Sequence, residues 1–178
     1  MMTAAEFIHA EIKRLHTMLD KTLTEISLEQ LHAVPAGHPR ANTIAWGLFH
    51  CVRTEDNVTR FVLQDRRPPV WTEGGYAERF GLPPVAQGTG MSTADAQALR
   101  LRDVDLFREY MQRVWASTEE LFAKAEPAFF DKTVTIRPLG EMPAVRALGQ
   151  VVASHGMLHV GQMELARTLV GANPVIGV

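Results

Sequence analysis

The sequence predicts an all-α protein that folds as a four-helix bundle. Four long segments repeat apolar residues at every third or fourth position, which is typical of helices with one apolar face. Strands do not alternate with helices along the chain, and only the stretch KTVTIRPL resembles a strand in composition. We expect one domain over residues 1–178, because a chain of 178 residues can bury a core without disulfide bonds or a structural metal.

The first two segments each carry apolar residues that need partners elsewhere in the chain. The first covers about residues 4–26, and its apolar stripe consists of Ile8, Ile12, Leu15, Leu19, Leu23 and Ile26. The second covers about residues 43–64 and ends at the sequence DRRPP, because proline interrupts helical hydrogen bonding.

The third and fourth segments have recognisable ends. The third begins near Ser92, where STAD supplies an N-cap and an acidic residue three positions later, and Glu126-Pro127 ends it. Its apolar residues are Val104, Phe107, Met111, Val114 and Leu121. The fourth covers about residues 143–171, because Pro143 suits a first helical turn and Gly171 suits a C-terminal cap.

The connection between the second and third segments, about residues 65–91, is long for a helical hairpin. It is either a crossover that lets the two helices run parallel or a lid over a functional site. Its aromatic residues Trp71, Tyr76 and Phe80 could close over a substrate or could form an apolar plug that fixes the connection. The length of the connection does not decide between these alternatives.

Composition excludes several classes of protein. The 18 basic and 20 acidic residues nearly cancel and form no basic cluster, so we expect a small-molecule partner and no nucleic acid. The N-terminus has no uninterrupted apolar run, which argues against a signal peptide or a membrane span and favours the cytoplasm. Cys51 is the only cysteine, which excludes an intramolecular disulfide and a cysteine-based zinc site, and we expect it in the core.

Two histidines of the fourth segment, His155 and His159, lie four residues apart and therefore on the same face of the helix. On an ideal helix this face also carries Leu148, Val151 and Leu158, so both imidazoles should face the core. Buried imidazoles need polar partners, which could be a metal ion or hydrogen-bonding groups of other helices.

His50 is the candidate for a third ligand. It lies in NTIAWGLFHCVRTEDNVTRF, which is apolar on two sides, as if one side met the bundle and the other met a cleft or a second subunit. We therefore expect a homodimer. One imidazole from this helix and two from the fourth would form a three-nitrogen site with open coordination positions, which is typical of catalytic metals.

The remaining polar residues are weaker candidates for the metal site or its surroundings. Glu55 lies about 140° around the helix from His50, so we expect it to hold a neighbouring helix or to hydrogen-bond to a ligand rather than to bind metal. Asn57 could line a pocket, whereas Arg53 is expected to be solvated. The other histidines, which are expected to be solvated as well, are His9, His16, His32 and His38.

The stretches NTIAWGLFHCVRTED and SHGMLHVGQ resemble the DinB/YfiT-like family of metalloenzymes. The resemblance implies a four-helix bundle with an up-down-down-up course, a tendency to dimerise, and metal ligands at His50, His155 and His159. Gln162 matches a further position of the family motif. Related proteins include thiol S-transferases and a mycothiol-dependent maleylpyruvate isomerase, and some relatives have a glutamate where this chain has His155.

The sequence thus predicts a metalloenzyme whose three histidines hold one divalent ion, with nickel or zinc favoured because imidazole suits both. Such an ion would activate a water molecule or a low-molecular-weight thiol, so both hydrolase and thiol-dependent transferase activities are open. The alternatives are a metal-binding or stress-related interaction protein without turnover, and a helical dimer whose histidines are structural.

Overall fold

The structure is a computed structural model that describes residues 1–176, so the last two residues of the expected domain lie outside it. The described chain is predominantly helical, with one short antiparallel hairpin. The first helices are α1 (Ala4–Thr22), α2 (Leu28–His32), α3 (Ile44–Asp56), α4 (Val70–Glu73) and α5 (Tyr76–Phe80). They are followed by α6 (Thr93–Ala98), α7 (Val104–Lys124), α8 (Pro127–Asp131), β1 (Thr133–Ile136) and β2 (Gly140–Pro143).

The last long helix, α9, consists of three consecutive segments. It begins as an α-helix at Ala144–Ala147, widens into a π-helix at Leu148–Ser154, and continues as an α-helix at His155–Leu169. Helix α3 likewise continues into a π-helical segment, Asn57–Val62. The helical predictions for residues 43–64 and 143–171 are therefore confirmed, but the periodicity did not reveal the π-helical segments.

Helix α1 begins at a capping box formed by Thr3 and Glu6. The helix ends at Thr22, four residues before the predicted boundary, although the last apolar residue of the stripe, Ile26, still packs against the core. The stripe itself was predicted correctly, since Ile12, Leu15 and Leu19 are buried.

The four long helices contact one another in a ring: α9 packs against α1 and α3, and α7 packs against α3 and α1. Glycine permits the closest of these contacts. A Cβ atom on Gly47 of α3 would lie 2.8 Å from the side chain of Met163 in α9, and one on Gly156 of α9 would collide with Leu15 of α1. Helix α9 can therefore approach both neighbours closely, which brings His50 of α3 near the histidines of α9.

The third segment is not a single helix that begins near Ser92, so this prediction was wrong. Ser92 does cap a helix, but this helix is the short α6, and the chain leaves it at Leu99. Leu99 and Leu101 are both buried, and the Leu101 amide donates to Nε2 of His32 over 2.8 Å. These contacts hold the chain extended, so α7 begins only at Val104 with Asp103 as its N-cap.

The stretch KTVTIRPL, which resembles a strand in composition, does form one, and it pairs with a second strand that the all-α expectation did not include. β1 and β2 form an antiparallel hairpin in which Val134 lies opposite Met142, and both side chains are buried. The second strand leads directly into α9.

Helix α3 is enclosed by its own chain, since every residue from Ile44 to Asp56 is buried. The connection after α3 covers part of it with Trp71 and Tyr76, whose side chains are fully buried. Two of the three aromatic residues of the connection thus form an apolar plug. The two-sided apolarity of α3 is therefore explained within one chain and does not require a second subunit. No helix among residues 1–176 is long and apolar enough to cross a membrane.

Candidate metal centre

His50, His155 and His159 come together between α3 and α9. Their candidate ligand atoms all lie within 4.8 Å of one another. Nε2 of His155 is 3.2 Å from Nε2 of His50 and 3.1 Å from Nε2 of His159. His50 is buried, and the two histidines of α9 are half-buried at the edge of a cleft.

The opposite ring nitrogens have hydrogen-bond partners that fix the orientation of the rings. Nδ1 of His50 donates to the carbonyl oxygen of Gln87 over 2.9 Å, and Nδ1 of His159 donates to Oε1 of Gln162 over 2.8 Å. His155 has a hydrogen bond to the backbone of Val151, one turn earlier. Because carbonyl oxygens only accept, these bonds place the proton on the outer nitrogen of each neutral ring and leave the Nε2 lone pairs directed at one another.

The electrostatics of the cluster favour neutral imidazoles. Burial, together with the neighbouring His159 and His50, lowers the pKa of His155 to about 4. Burial is also the main cause that lowers the pKa values of His50 and His159. Neutral imidazole nitrogen is the form that binds metal.

The donor set therefore fits a divalent metal ion. Three lone pairs that converge within 4.8 Å, two of the pairs of nitrogen atoms at 3.1–3.2 Å, repel one another unless a cation lies between them. Zinc and nickel both accept imidazole nitrogen, and three protein ligands leave at least one coordination position open.

The connection after α3 positions His50. The Gln87 carbonyl that holds the ring is followed by Gly88, which has a φ of +88°. A Cβ atom on Gly88 would lie 2.8 Å from both Cβ and Nδ1 of His50, so only glycine permits this approach. One residue before Gln87, the carbonyl oxygen of Ala86 accepts a hydrogen bond from Nε of Arg53 over 2.8 Å.

A cleft of about 1020 Å³ opens at the histidines. It is lined by both π-helical segments, by residues 87–91 of the connection and by residues 135–139 of the hairpin. A smaller cavity of about 270 Å³ lies beside His159 and shares Arg40, Asn42 and Trp46 with the cleft. π-Helical segments are rare and are often found at functional sites, and here two of them form one wall of the same cleft.

Residues 11–163 match the family model of the DinB superfamily. The chain belongs to the DinB superfamily. A solved structure described as a conserved protein from Enterococcus faecalis superposes with a TM-score of 0.81 at 17% sequence identity, and the match covers 96% of this chain and 98% of that one. At this identity the likeness shows the fold alone. No curated protein matches the sequence.

In this member of the DinB superfamily, Glu55 lies on the side of α3 that faces away from the histidine cluster. Its Oε1 accepts hydrogen bonds from Nε2 of His16 over 2.9 Å and from the Thr118 hydroxyl over 2.6 Å. The carboxylate thus joins α3 to α1 and α7, and it does not line the cleft. The expectation that His16 is solvated was wrong: it is buried because Glu55 provides a partner, and Trp115 stacks on its ring.

The expectation that Arg53 is solvated was also wrong. Its guanidinium is buried because it contacts the Ala86 carbonyl and the carboxylate of Asp56, which lies 3.2 Å away. Asp56 also accepts hydrogen bonds from the amides of Val70 and Trp71 over 2.8 and 2.9 Å. Sequence reasoning missed Asp56, although an acidic residue within an apolar helix could have indicated a buried partner.

The remaining candidates lie where their surroundings give them modest roles. Asn57 lines the large cleft, and Gln162 lines the smaller cavity while it holds the ring of His159. Cys51 is buried, and burial raises the pKa of its thiol. His38 is exposed as expected, whereas His9 and His32 are half-buried and hydrogen-bonded.

Proposed function

We propose that this chain binds one divalent metal ion, zinc or nickel, through His50, His155 and His159. The observation that carries the proposal is the convergence of three Nε2 atoms, two pairs of which lie 3.1–3.2 Å apart, while separate hydrogen bonds hold the outer sides of the rings. An ion at the centre replaces the mutual repulsion of the lone pairs with three favourable bonds.

We further propose that the protein is a thiol-dependent transferase or a related metalloenzyme. The cleft supports catalysis over a purely structural metal, because structural ions are enclosed by protein ligands whereas this cluster borders about 1020 Å³ of open space. A bound ion would lower the pKa of a thiol or a water molecule and so supply a nucleophile at neutral pH. The thiol would come from a small molecule, since the only cysteine is buried.

The residues around the cluster would keep the ligands in place during such a reaction. The ring of Trp46 stacks on His50 with centroids 4.9 Å apart, and the Gln87 carbonyl holds the opposite nitrogen of the same imidazole. A ligand that is held on both sides loses little freedom when it binds an ion, which raises its affinity for the metal.

The architecture that accompanies this proposal is a single-domain four-helix bundle with an up-down-down-up course. The ring of contacts among α1, α3, α7 and α9 supports it, and the long path from α3 to α7 allows these two helices to run in parallel. The balanced charge supports a small-molecule substrate and no nucleic-acid partner, and the single cysteine, which can form no intramolecular disulfide, supports a place in the cytoplasm.

We also propose a homodimer, and α9 supports it better than α3 does. Leu165 and Leu169 are 62 and 42% exposed, and their spacing of four residues places them on one face of the helix, outside the large cleft. Contiguous exposed apolar residues are typical of protein interfaces. Analytical ultracentrifugation should give a mass near twice the 19.8 kDa of the chain, and a monomer at all micromolar concentrations would contradict the dimer.

Elemental analysis and metal titration of the purified protein test the metal site. We expect about one zinc or nickel ion per chain, and its loss in the variant His159→Ala with retention of the helical circular dichroism spectrum. The matched control is His38→Ala, because His38 is exposed and lies outside the cluster. A His159→Ala protein that retains full metal affinity would remove this residue from the site.

A screen of thiol co-substrates tests the catalytic part. The metal-loaded protein should transfer a low-molecular-weight thiol to an electrophilic substrate, and His159→Ala should not. Metal binding without any thiol-dependent or hydrolytic turnover would favour the non-catalytic metal-binding protein instead.

A further inference from the structure

The cleft beside the histidines is lined by basic and neutral side chains. Apart from the histidines, its ionisable residues are Arg40 and Arg137, and no aspartate or glutamate among residues 1–176 lines it. Both arginines are exposed, and neither forms a salt bridge or a side-chain hydrogen bond with another residue of that range. Arg40 precedes α3 and Arg137 lies in the turn of the hairpin, so the two charges come from separate parts of the fold.

The proposed metal site adds to this positive charge. Imidazole ligands are neutral, so three of them leave the full double charge of a divalent ion uncompensated, whereas a carboxylate ligand would have reduced it. A ligand that enters the cleft therefore meets the ion and two guanidinium groups without a protein carboxylate to offset them. Such a field attracts anions and raises their local concentration.

The wall of the cleft also contains exposed apolar side chains. Phe61, Leu139 and Leu158 are 43, 50 and 70% exposed, and all three line the cleft. Together they offer an apolar surface next to the positive charges. A ligand that combines an apolar body with an anionic group matches both features.

We propose that this cleft binds an organic anion, namely a carboxylate or phosphate attached to an apolar body. Arg40 and Arg137 attract the anionic group into the cleft, and the body packs against Phe61, Leu139 and Leu158. The inference extends the proposed metal function by naming the class of substrate, and the arginine contacts can be measured with or without the ion. Guanidinium groups suit both anions, because their N–H groups match pairs of carboxylate or phosphate oxygens.

Calorimetric titration with matched ligands tests the proposal. The probes are 4-phenylbutyrate, its neutral analogue 4-phenylbutanamide, and 4-phenylbutyl phosphate, each titrated into the zinc-loaded protein. The variants are Arg40→Gln, Arg137→Gln and the double variant. The control is Arg102→Gln, because Arg102 is exposed and lies outside the cleft.

We expect the anions to bind more tightly than the amide. Each cleft variant should weaken anion binding by about threefold to tenfold, with the amide changed by less than about twofold, because only the charged group meets the arginines. The two anions distinguish a carboxylate substrate from a phosphate substrate by their relative affinities. Arg102→Gln should leave all three affinities unchanged.

Two outcomes would overturn the proposal: an amide that binds as tightly as the anions, or anion affinities of the double variant within about twofold of the parent protein. The same titrations after chelation separate this inference from the metal site. If the protein binds no zinc but the anions still depend on the two arginines, the metal proposal fails and the anion site stands. If zinc binds and the arginines have no effect, the anion site fails alone.

Discussion

His16 of α1 and His50 of α3 are two buried histidines of similar exposure, 8 and 6%, yet their surroundings differ. Nε2 of His16 faces a carboxylate oxygen of Glu55 at 2.9 Å. Nε2 of His50 faces another imidazole nitrogen at 3.2 Å, with the lone pairs directed together. The first arrangement is complete as it stands, and the second needs a cation.

The difference shows that burial alone does not separate a structural histidine from a ligand. The decisive feature is the partner of the inner nitrogen: a carboxylate oxygen completes a structural contact, whereas a second and third imidazole create a metal site. The following predictions run from the largest expected effect to the smallest. They test whether the Glu55 side of α3 contributes mainly to stability and the His50 side mainly to metal binding.

Replacing Glu55 by alanine should affect folding and leave metal binding intact. The substitution leaves the imidazole of His16 and the hydroxyl of Thr118 in the core without their hydrogen-bond partner. We therefore expect the free energy of unfolding to fall by about 3–5 kcal/mol. Chemical denaturation measures the loss, and zinc titration of the folded fraction should still give one ion per chain. A loss below about 1 kcal/mol would show that this cluster contributes little to stability.

Removing the metal should lower stability without unfolding the chain, because the core does not depend on the ion. The loss should be about 3–4 kcal/mol when free metal had exceeded its dissociation constant by about 100- to 1,000-fold. Thermal melting with and without a chelator, monitored by circular dichroism, measures the effect. A chelated protein without helical signal would mean that the ion is structural.

Replacing Gly88 by alanine should weaken metal binding by displacing the connection from His50. Its new Cβ atom would lie 2.8 Å from the imidazole, and perturbing a ligand's outer hydrogen bond costs about 10- to 100-fold in metal affinity. Gly90→Ala is the matched control, since Gly90 also has a positive φ, of +76°, but has open space at its Cβ position. Equal affinities in the two variants would show that backbone strain, and not contact with His50, determines the effect.

The metal-free protein should lose stability when the pH falls from about 6.5 toward 4. The pKa of His155 is lowered in the folded state from 6.5 to about 4, so the unfolded chain takes up a proton in this interval before the folded chain does. Stability from this group is therefore complete above about pH 6.5 and declines with acidification. Melting curves of the chelated protein and of a chelated His155→Gln variant should diverge in this range, and parallel curves would contradict the assignment.

The sequence predicted those parts of the fold that depend on local periodicity. The long helices, the apolar stripe of α1 and the strand-like composition of KTVTIRPL follow from the spacing and type of nearby residues, whereas the all-α expectation left out the hairpin itself. The break between α6 and α7 could not be predicted in this way, because it results from the burial of Leu99 and Leu101 and from a contact with His32, which is 69 residues away.

Within the site, prediction succeeded in grouping the histidines and failed for their surroundings. His50, His155 and His159 were grouped by facing direction and by family resemblance, and the structure brings them together. The burial of His16 and Arg53 depends on partners in other elements, which spacing within one helix does not reveal. Leu158 was assigned to the core face, but it lies at the edge of that face, where the cleft opens, and is 70% exposed.

The π-helical segment Leu148–Ser154 determines the rotational phase of everything that follows it in α9. A π-helix contains more residues per turn than an α-helix, so the same residues in an uninterrupted α-helix would carry everything after them further around the helix axis, by about one residue. One residue corresponds to a rotation of about 100° around an α-helix. With all residues retained but the segment α-helical, His155 and His159 would turn away from His50 together, so the π-helical geometry of this segment is itself a requirement of the metal site.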